Sequence, residues 1–206
     1  MKPLRALMPF ARRAPQRRED HARCELCGAP VAERHAHVIA LERHELQCAC
    51  TACAVLFRDA HAGNGRYRTV PARVIAARNF LPGDADWARV EIPVQLAFVV
   101  RREGWIAFYP SPAGTVEAPL SEAAAEALSS LVPLSAKVEP GVEALLIHRP
   151  RGGANARCHL VPIDACYELV ALVRRHWRGF DGGDEARAAI ETFIARLDRA
   201  AEVEKP

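Results

Sequence analysis

Cys24–Cys53, "CELCGAPVAERHAHVIALERHELQCACTAC", holds five of the chain's seven cysteines and three of its eight histidines within thirty positions. Cys24 and Cys27 form one C-x-x-C pair; Cys50 and Cys53 form a second, with twenty-two residues between the pairs. Thiolates at this spacing on a tight turn point at one ion, and two such pairs complete a tetrahedron. Gly28 follows Cys27, where a knuckle's turn favours positive φ; Ala54 stands at the equivalent place after Cys53. The intervening length suits a β-hairpin that returns the chain to the metal. The pattern is that of a zinc ribbon, slightly longer between pairs than the usual window. A module this small buries too little to be stable alone. A four-cysteine zinc site stabilises such a module by on the order of 10–16 kcal/mol of apparent binding energy.

Three residues of the stretch are alternates to that ligand set. Cys48 lies two before Cys50, so on an extended strand both sulfurs would face one way. It reads as a spare thiol, a replacement for Cys50, or a fifth sulfur for redox or transfer chemistry. His37 and His44 are the imidazoles that would complete a site of three cysteines and one histidine; His35 alternates with His37. Zinc is the expected ion and iron the rival, because a rubredoxin-type site also uses two C-x-x-C pairs and thiolates select both metals. The missing glycine after Cys53 favours zinc. A 4Fe–4S cluster is disfavoured, since no compact C-x2-C-x2-C run occurs.

From about Pro71 the texture changes. "GDADWARV" reads as a short helix started by Asp84 or Asp86. "IPVQLAFVVRREGWIAFYPSP" reads as two strands around Glu103-Gly104, with Val94, Leu96 and Phe98 on one face. "PAGTVEAPL" reads as a loop. Ser121 caps the alanine-rich helix "SEAAAEALSSL", and Pro133 follows its end. "VEALLIHR" and "CHLVPI" are strands joined by the turn "PRGGANAR". Asp164 is the expected N-cap of "ACYELVALVRRHWRGF", which the "GFDGGD" turn stops; a last helix spans about Glu185 to Ala201. Strands and helices mixed without a βαβ rhythm predict an α+β domain with an antiparallel sheet and about three helices. The expected organisation is a flexible basic arm at 1–22, a zinc-ribbon-like module at 23–70 and the α+β domain at 71–206.

Residues 1–23 carry seven Lys/Arg against Glu19 and Asp20, so this stretch, the arm with Arg23, is +5 in a chain of net +3 and the remainder is −2. Between Cys24 and Cys53 the cations are only Arg34 and Arg43, against Glu25, Glu33, Glu42 and Glu45. A ribbon that binds phosphates should be basic, which argues against nucleic acid as partner. No apolar run approaches the ~18–20 residues that cross a bilayer, and no apolar segment follows Arg12-Arg13, so a cytoplasmic chain without membrane insertion is expected. Thiols stay reduced there, and clustered cysteines bind metal rather than pair. No G-x-S-x-G, P-loop or dinucleotide fingerprint occurs. Cys158 and His159 are adjacent and so should face opposite sides of a strand. Cys166, in the first turn after Asp164, reads either as a thiol activated by the helix dipole or as a small buried residue. The expectation is a protein that is not an enzyme.

The segments "CELCGAP", "CACTACAVLF", "GRYRTVP", "IPVQLAF", "FYPSPAGTVE", "VEALLIHR" and "LVPIDACYELVALVRRHWRG" occur in order from Cys24 to Gly179 and belong to a match over most of the chain from Cys24 to about Phe193. In these the chain resembles an uncharacterised domain-of-unknown-function family. Its genes lie in operons for actinobacterial-type, high-affinity nickel–iron uptake hydrogenases. The resemblance implies a cytoplasmic accessory protein in hydrogenase assembly or electron transfer, partnered by a hydrogenase subunit or maturation factor. It also implies Cys24, Cys27, Cys48, Cys50 and Cys53 as the metal-binding set. The rival readings are a rubredoxin-like iron electron carrier and a zinc-ribbon nucleic-acid regulator.

Overall fold

A computed structural model describes residues 22–150, 155–179 and 182–203. The basic arm lies outside the described residues except Ala22, as do parts of the "PRGGANAR" and "GFDGGD" turns. The fold is α+β, built on two sheets. A three-stranded antiparallel sheet comprises β1 (Ala36–Ala40), β2 (Glu45–Ala49) and β3 (Tyr67–Thr69), in the order β2-β1-β3. The helix α1 (Thr51–Leu56) follows β2 directly.

The larger sheet has seven strands: β4 (Ile75–Ala76), β5 (Leu96–Arg101), β6 (Trp105–Ser111), β7 (Gly114–Pro119), β8 (Glu143–His148), β9 (Arg157–Pro162) and β10 (Glu202–Val203). Their order is β10-β4-β9-β8-β5-β6-β7, antiparallel except for the β10–β4 edge pair. The connecting helices are α2 (Asp84–Ala88), α3 (Glu122–Leu131), α4 (Ile163–His176) and α5 (Gly183–Ala200).

Strand alternation sorts the large sheet into two apolar layers. Ala97, Val99, Ala107, Leu145, Ile147, Cys158 and Leu160 pack against Leu128 of α3, Leu134 and Trp87 of α2. Phe98, Val100, Phe108, Ala144, Leu146 and Val161 pack on the other face against Leu169 and Val173 of α4 and Phe193, Ile194 and Leu197 of α5. Covering both faces requires continuous hydrophobic strands, which is why β5 reads LAFVVR and all six residues of β8 are buried. Cys158 and His159 do fall on opposite faces: the first enters the α3 layer, while His159 reaches Asp198 of α5.

Three local expectations are corrected. "PAGTVEAPL" is not a loop. Gly114, at φ 133, turns the chain into β7, which pairs with β6 from Ser111↔Gly114 to Ile106↔Pro119. This edge strand leaves Val116 exposed, so it carries little hydrophobic alternation to read. Val94 lies before β5 and is exposed, apart from Leu96 and Phe98. Asp164 is not the cap of α4, whose N-cap is Pro162; it sits inside the first turn and accepts a hydrogen bond from His37. Ser121 does cap α3, accepting from the Ala124 amide at 3.1 Å.

The small sheet docks on the α4 side of the large one. Ile39 and Val70 belong to the same apolar layer as Phe98, Ile163 and Leu169. The Tyr167 hydroxyl donates to the His44 carbonyl at 2.9 Å, and Arg68 pairs with Glu139 at 3.0 Å. The opposite face of the small sheet has its own cluster of Cys24, Val38, Ala49, Ala54 and Phe57.

Candidate metal centre

The four cysteines of the two pairs converge. One sulfur each from Cys24, Cys27, Cys50 and Cys53 lies within 4.8 Å of every other. The first pair sits on a turn held by Gly28 N–H donating to the Cys24 carbonyl at 2.8 Å, with Gly28 at φ 77, as a positive-φ glycine requires. The hairpin β1–β2, in register from Ala36↔Ala49 to Ala40↔Glu45, returns the chain to the first pair. The Glu25 amide donates to the Cys48 carbonyl at 2.9 Å, and the Glu25 carboxylate accepts from the Cys48 amide at 2.6 Å, tying the turn to β2.

The second pair is built differently from the first. Cys50 is the N-cap of α1 and Cys53 lies in its first turn, with the Ala54 amide donating to the Cys50 carbonyl at 2.9 Å. Ala54 is helical and buried, so no glycine is needed there. Its absence is a consequence of the helix and says nothing about zinc against iron.

The sulfur geometry fits a tetrahedral ion. Cys27 Sγ and Cys50 Sγ are 3.7 Å apart. Metal–sulfur bonds of about 2.3 Å give tetrahedral sulfur–sulfur edges of about 3.8 Å, whereas a disulfide needs about 2.05 Å. The protonation pattern agrees. Burial raises the Cys24 thiol, but backbone hydrogen bonds from Cys50, Cys27 and Leu26 bring it down to about 6. Burial and the three neighbouring sulfurs push Cys53 up to about 12. Four thiolates this close repel one another, and a cation is what allows all four to ionise together. The donor set therefore marks a metal site. Cys24 is buried, Cys50 and Cys53 half-buried, and Cys27 exposed.

The alternates fall elsewhere. Strand alternation would have placed Cys50 beside Cys48, but β2 ends at Ala49 and the chain turns into α1. Cys48 instead lies across from His37 and groups with His35 and His37. Burial first, and then the Glu25 carboxylate, raise the Cys48 thiol. His44 sits at the far end of the β1–β2 hairpin at φ 54, in neither cluster. Its ring lines a cavity of about 320 Å³ with Phe98, Phe108, Arg102, Glu117 and Tyr167. Cys166 is fully buried against the α4 layer, and burial lifts its thiol well above the ordinary range, so the helix dipole does not activate it.

Sequence reasoning missed the pairing of His37 with Asp164, at 2.9 Å across 127 positions. Only the docking of the small sheet on α4 creates it. Among the described residues no helix is long and apolar enough to cross a membrane. Compared with known proteins, residues 23–201 match the model described as "Family of unknown function (DUF5947)". No curated protein and no solved structure matches the chain.

Proposed function

The chain belongs to the family of unknown function DUF5947, and from that premise we propose that it is a non-enzymatic accessory protein for nickel–iron hydrogenase assembly or maturation. Its tetrathiolate centre holds zinc, and its α+β portion carries the partner-binding surface. The single observation behind the structural role of the metal is the donor set: four sulfurs from two pairs lie within 4.8 Å of one another, the number that closes a tetrahedral site and leaves no position for a substrate. The hydrogenase context rests on the ordered sequence segments that resemble a family encoded beside uptake hydrogenases. A cytoplasmic location follows from the same context, since hydrogenase subunits receive their metal centres before they are exported or assembled.

The test is capture of the tagged full chain from cells that make the uptake hydrogenase. A hydrogenase subunit or maturation factor should co-purify, and deleting the gene should lower the amount of assembled enzyme. Capture of neither, with hydrogenase assembly unchanged in the deletion strain, would overturn the proposal.

One observation favours a second reading, a rubredoxin-like iron carrier serving a hydrogenase. Cys27 is an exposed residue in the cluster, and electron exchange needs such an opening to the surface. Iron would give a sulfur-to-iron charge-transfer colour that bleaches on reduction, whereas zinc leaves the protein colourless.

A further inference from the structure

We propose that His35, His37 and Cys48 form a second metal site, a three-ligand centre for a zinc-class divalent transition ion at the seam between the small sheet and α4. It is separate from the tetrathiolate centre and does not depend on the hydrogenase reading. His35 precedes β1 and His37 lies within it, two positions on, so both rings leave the same face of the sheet. Cys48 is the direct cross-strand partner of His37 and shares that face. One ligand atom from each of the three lies within 4.8 Å of the others, and the two imidazole centroids are 5.0 Å apart.

The hydrogen bonds around the rings are those of metal-binding histidines. His35 Nδ1 donates to the Ala32 carbonyl at 2.8 Å, and His37 Nδ1 donates to the Asp164 carboxylate at 2.9 Å. Each acceptor fixes the proton on Nδ1 and leaves the Nε2 lone pair for a ligand. A carbonyl or carboxylate behind the ring is how ligating histidines are oriented and made more basic. His35 Nε2 is buried without a hydrogen-bond partner. A buried ring nitrogen with no partner is costly, and an ion bound there removes that cost.

Two imidazoles and one thiolate suit zinc and its cobalt, nickel and copper neighbours rather than magnesium or calcium. Three protein ligands leave a fourth position for water or an external donor. With one ligand fewer than the tetrathiolate centre and all three residues half-buried, this ion is the exchangeable one. Through Asp164 it also fastens the small sheet to α4. Glu25 links the centres: it lies between Cys24 and Cys27 and holds the Cys48 amide.

The experiment is zinc and cobalt(II) titration of the purified full chain, with metal counted per chain and the histidine ring resonances followed by NMR. The wild type should take up one equivalent beyond the tightly held ion, and zinc should shift the His35 and His37 Nε2 signals. His35→Ala and Cys48→Ala should each lose that equivalent while keeping the tetrathiolate ion. Asp164→Asn should weaken it by about 10–100-fold. No second equivalent in the wild type overturns the proposal. So does a second equivalent that leaves both rings unshifted, because the wild-type spectrum decides the matter even where a variant fails to fold. A chain with no tightly held ion but shifted histidine rings would sink the tetrathiolate centre and leave this one standing.

Discussion

At the scale of single residues, neighbouring positions have different fates. Cys48 and Cys50 are two apart, yet Cys50 joins the four-sulfur cluster and Cys48 groups with the imidazoles. Cys50→Ser should therefore abolish the tightly held metal in the purified protein, as should Cys24→Ser, whereas Cys48→Ser should retain it. Elemental analysis of protein purified without added metal checks this, and equal loss in Cys48→Ser would contradict the ligand assignment. His159 carries a pH prediction. It is 1% exposed, and its Nε2 is 2.9 Å from Asp198 Oδ1. Burial lowers its pKa more than Asp198 raises it. A depressed folded value means the unfolded chain binds the extra proton first as pH falls. Stability is thus complete above about pH 6.5 and declines as pH drops from there towards the folded value. Burial depresses His148 in the same direction. Thermal melts between pH 8 and pH 5 should show the decline, and His159→Gln should flatten it.

At the scale of elements, β8 bears the heaviest burial and one fully buried charge. The Glu143 carboxylate is 0% exposed and accepts from Arg73 Nε at 2.6 Å, from Arg73 Nη2 at 2.7 Å and from the Glu139 amide at 2.9 Å. Arg73 lies on the segment joining the small sheet to β4. Arg73→Ala leaves that buried carboxylate without its countercharge, with the Glu139 amide still donating to it, and urea unfolding should register a loss of about 3 kcal/mol. Adding Glu143→Leu should recover much of it, since no charge then remains to be desolvated. The elements readable in the sequence were those whose signals are local. Ser121 at the start of α3, the Glu103-Gly104 hairpin and the apolar run of β8 all announce themselves within a few residues. The β7 edge and the two-residue strands β4 and β10 do not, because a strand exposed on one side or shorter than one alternation has no pattern to show.

Across the whole molecule, stability is divided unevenly. The seven-stranded sheet has two full apolar layers, while the outer face of the small sheet rests on Cys24, Val38, Ala49, Ala54 and Phe57. Stripping the metal with a strong chelator should loosen residues around 23–70 and leave the large sheet folded. Hydrogen exchange should then lose protection in β1–β3 and keep it in β5, β8 and β9. A single cooperative collapse of both sheets would mean the seam, not the metal, governs the small one.

The sequence by itself determined the α+β class and which four cysteines bring their sulfurs together. Both follow from short-range rules: the period of apolar residues, the capping of helices, and the reach of a C-x-x-C turn. Tertiary structure alone decided that Cys50 caps a helix and Cys53 lies in its first turn, that His44 lies far from the sulfurs, and that His37 meets Asp164. Each depends on where a hairpin ends or how one sheet docks on another, and no residue's immediate neighbours encode that.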